Sequence, residues 1–126
     1  MDIQELLVFA GRKNEVIDEN MPVKKVFAAM ESEKVEDPCV SFRKIRDAVL
    51  GMGKILEENQ EEQYYLLIAD VGLSAAVLIA RVSEGAAEVA AYADEGIIRQ
   101  NLAHKAIETF KNRLASLQSY SCPADK

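Results

Sequence analysis

A lone histidine, His104, cannot assemble a typical multi-histidine metal site. The two cysteines, Cys39 and Cys122, stand far apart with no paired spacing of the zinc or redox-dithiol kind, so they read as reduced thiols. No apolar run reaches the ~18 residues of a membrane span, because Asp70 and Arg81 interrupt the one candidate stretch. The N-terminus sets Asp2 and Glu5 ahead of its apolar residues and lacks the basic opening and cleavage site of a signal peptide; a cytoplasmic location is expected. Repeats, low-complexity tracts and interdomain linkers are absent too. Residues 1–118 therefore read as one globular domain and 119–126 as a frayed tail. Positive charge is also short. A net charge of −6 argues against a nucleic-acid surface, whose affinity comes largely from clustered Lys and Arg, and permits a basic protein partner instead.

What the chain does have is a nearly uncharged stretch from Tyr64 to Ala93. Turn signals divide it into three candidate strands, 64–71, 75–82 and 86–93. A two-residue loop at 84–85 sets Arg81 directly opposite Glu88, an ion pair contributing roughly 0.2–1 kcal/mol between the only charges within those two strands. A loop at 72–73 pairs Ile68 with Val77, Leu66 with Ile79 and Tyr64 with Arg81, which completes a three-stranded antiparallel meander. One face then carries Tyr65, Leu67, Leu78, Val89 and many alanines. The other carries Tyr64, Leu66, Ile68, Val77, Ile79, Ala90 and Tyr92. Neither face suits water, so both need a cover. The alternative is an all-α bundle, since alanine favours helix and Ser74 could cap one.

Around the meander, helical spacing predicts a short helix over Ile3, Leu6, Leu7 and Ala10, with Gly11 as its C-terminal cap. A second helix is predicted from Pro22 through Met30, fading by Lys34, and a third from Asp37 and Pro38 through Phe42, Ile45, Val49, Met52 and Leu56, bent or ended at Gly51 and Gly53. Residues 57–62 read as an acidic connection. A long final helix capped by Asp94, with a stripe from Ile98 to Leu117, is predicted to pack on the alanine-rich sheet face, giving an α+β fold.

Chemistry is sparse. Gly51, Met52, Gly53 and Lys54 lack the glycine spacing and the Ser or Thr of a phosphate loop, and a helix bend accounts for the glycines. Cys39, in the first turn of a predicted helix, could form a thiolate with His104 as base, yet a surface pair of His104 with Glu108 is the simpler reading. Asp70 and Glu88 read as a turn cap and a cross-strand pair. No catalytic residue, metal or cofactor is assigned.

Two surfaces remain as partner sites. The acidic cluster Glu57, Glu58, Glu61 and Glu62 suits a basic partner, and Tyr64, Ile79 and Tyr92 would centre an interface if the helices left their sheet face open. The leading expectation is a non-enzymatic protein-binding domain, with an immunity or antitoxin-type inhibitor of a basic protein as one concrete form. A homodimer is the third possibility. The alternative is a small-molecule-binding or enzymatic domain with a pocket between sheet and final helix, lined by Tyr65, Leu67 and Leu78.

Overall fold

In the computed structural model, which describes residues 1–96 and 100–117, the chain is α+β. Its elements run α1 (Ile3–Lys13), α2 (Val23–Ala28), β1 (Met30–Glu36), α3 (Phe42–Val49), β2 (Gly53–Asn59), β3 (Tyr64–Val71), β4 (Ser74–Ser83), β5 (Ala86–Tyr92) and α4 (Leu102–Ala115). The strands form one antiparallel sheet in the order β1-β5-β4-β3-β2.

The meander has the predicted register. Ile68 pairs with Val77, Leu66 with Ile79 and Tyr64 with Arg81, while Arg81 lies opposite Glu88 with a 2.7 Å ion pair between them. Two apolar cores result, one on each face. On the alanine-rich face, Tyr65, Leu67, Leu78, Ala80, Val89 and Ala91 pack against Ile45 and Val49 of α3 and Ala106, Ile107, Phe110 and Leu114 of α4. The small side chains let α4 approach closely. On the other face, Tyr64, Leu66, Ile79 and Tyr92 lie beneath Ile3, Leu6, Leu7 and Ala10 of α1 and Val26 of α2. Both faces are covered, as their composition requires.

The sheet has five strands where three were expected. The predicted second helix stops at Ala28, and Met30–Glu36 is strand β1. Charged residues are poor strand formers, but on an edge they deter further pairing, and this edge carries Glu31, Glu33, Lys34 and Glu36. The predicted third helix stops at Val49. Leu50 is extended, Gly51 has φ +89°, and the chain turns into β2, so Met52 and Leu56 belong to no helix. A Cβ at Gly53 would lie 1.9 Å from the Ile68 carbonyl oxygen, so close backbone approach, not a helix bend, requires that glycine. Glu57 and Glu58 consequently sit in a strand, leaving 60–63 as the turn.

Caps differ as well. Ser41, not Asp37, caps α3 by accepting from the Lys44 amide, while Asp37 pairs with the buried Lys44 ammonium at 2.8 Å. Helix α1 runs past Gly11 to Lys13, and Ile17 folds back so tightly that a Cβ on Gly11 would lie 2.5 Å from it. Helix α4 begins after Asn101 (φ +55°) and not at Asp94. Glu95 still serves its N-terminus, accepting from the Leu102 amide at 3.1 Å, where negative charge complements the helix dipole. Ile98 and the tail 119–126 lie outside the described residues. At its other end, α4 holds α3 through Arg113, whose guanidinium donates to the Ala48 and Leu50 carbonyls.

Cys39 is disulfide-bonded and not a reduced thiol. Cys122 lies outside the described residues. Among the described residues no helix is long and apolar enough to cross a membrane.

Candidate functional site

The antiparallel order brings three chain segments to one end of the sheet. These are the end of β1, the β2–β3 turn and the β4–β5 turn, and each carries acid. Glu36, Glu58, Glu61, Glu62 and Glu84 are all exposed there. Glu58, Glu61 and Glu62 were legible as a cluster in sequence, whereas Glu36 and Glu84 join them only through strand pairing that sequence spacing does not reveal. The turns are locally determined. Asn59 accepts from the Glu62 amide at 2.9 Å, Gln63 takes a positive φ of 62°, and Gly85 takes φ +68° to close the β4–β5 hairpin. The Arg81 guanidinium near this end is already bound to Glu88.

Glu57 is different from its neighbours. It turns toward α1, and its carboxylate accepts from Lys13 Nζ at 2.8 Å, Asn14 Nδ2 at 2.9 Å and the Tyr64 hydroxyl at 2.8 Å. Burial by itself would raise the Glu57 carboxyl, but the hydrogen bonds from Lys13, Tyr64 and Asn14 outweigh it and hold the group below its ordinary range. The bond to Glu57 raises the Lys13 ammonium, while burial and then the same carboxylate raise the Tyr64 hydroxyl. With its lone pairs so engaged, Glu57 joins helix to strand and is not presented to solvent with Glu58.

Tyr64, Ile79 and Tyr92 are 0%, 0% and 5% exposed, inside the core under α1 and α2. They are brought together, but not at a surface. Tyr65, Leu67 and Leu78, expected to line a pocket under the final helix, pack in the other core instead.

Among the described residues the chemistry-bearing side chains do not converge. His104 Nδ1 lies 3.2 Å from Glu31 Oε1, not against Glu108, which bonds Lys111. Cys39 is not a free nucleophile. Among the described residues no group of three or more His, Cys, Asp or Glu side chains could hold a metal ion.

The described residues also form concavities. A cavity of about 400 Å³ at the opposite end of the sheet is lined by Met21, Lys25, Glu31, Tyr92, Asp94 and Asn101, among others. A groove of about 570 Å³ runs between α1 and α2, where Phe9 and Val23 are exposed. Sequence reading missed it, although Phe9 falls outside the helix stripe of Ile3, Leu6, Leu7 and Ala10 and is a large apolar residue facing away from the core.

Comparison with known proteins adds no family: no family model, curated protein or solved structure matches this chain.

Proposed function

We propose that the chain is a non-enzymatic protein-binding domain whose acidic sheet end docks a basic protein, an inhibitor of the immunity or antitoxin type being its most concrete form. The observation that supports this reading is the convergence of Glu36, Glu58, Glu61, Glu62 and Glu84 from three segments onto one exposed end. Complementary charge of this kind steers encounter and selects partners more than it supplies raw affinity. Glu57 is left out of the surface because its carboxylate serves the fold. The test is capture from host lysate by wild type and by a variant with all five glutamates changed to Gln. A stoichiometric basic partner retained by the first and lost by the second is expected. Equal recovery by both would overturn the reading.

The alternative is a small-molecule-binding domain. Its support is the cavity of about 400 Å³ at the other end, a volume within the usual range for ligand sites, with Lys25, Glu31 and Asp94 among its polar lining.

A further inference from the structure

The outer surface of α1 carries a pattern that core packing does not explain. Its inward face is consumed by Ile3, Leu6, Leu7 and Ala10, yet Phe9 is 52% exposed, and across the groove from it Val23 of α2 is 43% exposed above the partly buried Phe27. Large apolar residues left together in a groove are a feature of binding surfaces. Along the same exposed face the charges are ordered. Glu5 lies one helical turn before Phe9 and Lys13 one turn after it. Glu5 is exposed, and the Lys13 side chain is 47% exposed even while it donates to Glu57, leaving two of its three donors.

We propose that this face docks a second copy of the chain, with α1 lying antiparallel to α1 of the other copy about a two-fold axis near Phe9. That arrangement alone sets Glu5 of each copy against Lys13 of the other, forming two equivalent ion pairs, while each Phe9 enters the opposing groove beside Val23 and Phe27. A parallel arrangement would set Glu5 against Glu5 and Lys13 against Lys13. Self-complementarity under a two-fold is the defining property of an isologous interface. A homodimer through the sheet face is ruled out by the same structure, because Tyr64, Ile79 and Tyr92 are already covered. The inference is independent of the acidic sheet end.

Sedimentation of the full chain over a range of concentrations should show a species of twice the 13.9 kDa single-chain mass. Phe9→Glu should return it to the single-chain mass with an unchanged circular dichroism spectrum, and its thermal midpoint should lose the concentration dependence that dimerisation gives the wild type. Carbodiimide treatment of an equal mixture of ¹⁴N and ¹⁵N protein should give a Glu5–Lys13 cross-link of mixed isotope, with the 2.8 Å Lys13–Glu57 contact supplying a single-isotope internal control. A wild type that stays single at high concentration, a dimer that survives Phe9→Glu, or a control link without the mixed one would each overturn the proposal. A single-chain wild type whose captured partner is lost on Phe9→Glu would reassign the groove to a foreign amphipathic helix. The five-glutamine variant should dimerise like wild type, so failure of the acidic docking reading and failure of this one are separately visible.

Discussion

Tyr64 and Tyr65 are adjacent in β3 and both are buried, yet they face opposite cores held together in different ways. The Tyr64 hydroxyl donates to Glu57 and so enters a hydrogen-bonded group that ties α1 to β2. The Tyr65 ring stacks on Phe42 of α3 at 4.5 Å between centroids, and its hydroxyl has no hydrogen-bond partner among the described residues. Burial pushes that hydroxyl up to about 12. The interior of the α3/α4 face is thus held by volume, its alanines admitting a long helix at close range, and its charged bonds from Lys44, Lys111 and Arg113 lie at the edges. The α1/α2 face combines a smaller apolar core with charge-assisted bonds at its margin, and its helix layer still shows apolar groups to solvent.

The largest effect should come from the volume side. Phe110 is fully buried at the centre of the α4 packing, and Phe110→Ala should cost about 3–5 kcal/mol of unfolding free energy in denaturant titration, the range for a deep aromatic truncation that the surroundings cannot refill. A loss below about 1 kcal/mol would mean that α4 is not tightly seated on the alanines, and the contrast between the faces would disappear.

The bonded side should respond less and with a pH signature. Glu57→Gln keeps shape but removes the charge that three donors address, and bonds to a charged group contribute about 1.5–3 kcal/mol. A loss of about 1–3 kcal/mol is expected at neutral pH. Because the folded carboxyl lies below its unfolded value near 4.5, its contribution is full above that pH and is lost as pH falls through the folded value. The gap between wild type and variant should therefore be constant at neutral pH and close on acidification. A gap independent of pH down to acid unfolding would assign the loss to packing.

The same contrast explains how much could be read from the sequence. The three central strands are buried on both faces and bounded by tight turns, and Arg81 opposite Glu88, the lone charges of β4 and β5, fixes their register, so pairing followed from residue order. The outer strands carry no such signal. In β1 only Met30 and Val35 are apolar, and Glu31 and Glu33 are satisfied by His104 and Lys111 of α4, partners that no local window contains. In β2 a bulge at Leu56 turns both Leu56 and Glu57 toward the α1/α2 core while Ile55 packs in the other, which breaks the two-residue alternation. Met52 and Leu56 then mimic the spacing of a helix that runs from Phe42. The acidic end was half visible for the same reason, because Glu36 and Glu84 reach Glu58, Glu61 and Glu62 only once the strands are paired.

The smallest effect is expected at Tyr65, and its sign matters more than its size. Removing a hydroxyl normally loses a hydrogen bond, and Tyr64→Phe should do so, since it leaves Glu57 short of one donor. At Tyr65 there is no such bond to lose, while an unpartnered buried polar group carries a desolvation penalty of about 1–3 kcal/mol. Tyr65→Phe keeps the ring on Phe42 and should leave stability unchanged or raise it, whereas Tyr64→Phe lowers it. Equilibrium unfolding of the two single variants and the double variant separates the cases, and additivity is expected because the hydroxyls point into different cores. If both substitutions were equally costly, the Tyr65 hydroxyl would have a partner in solution. The interior of the α3/α4 face would then contain a hydrogen bond, where its Arg113 and Lys111 contacts lie at the edges.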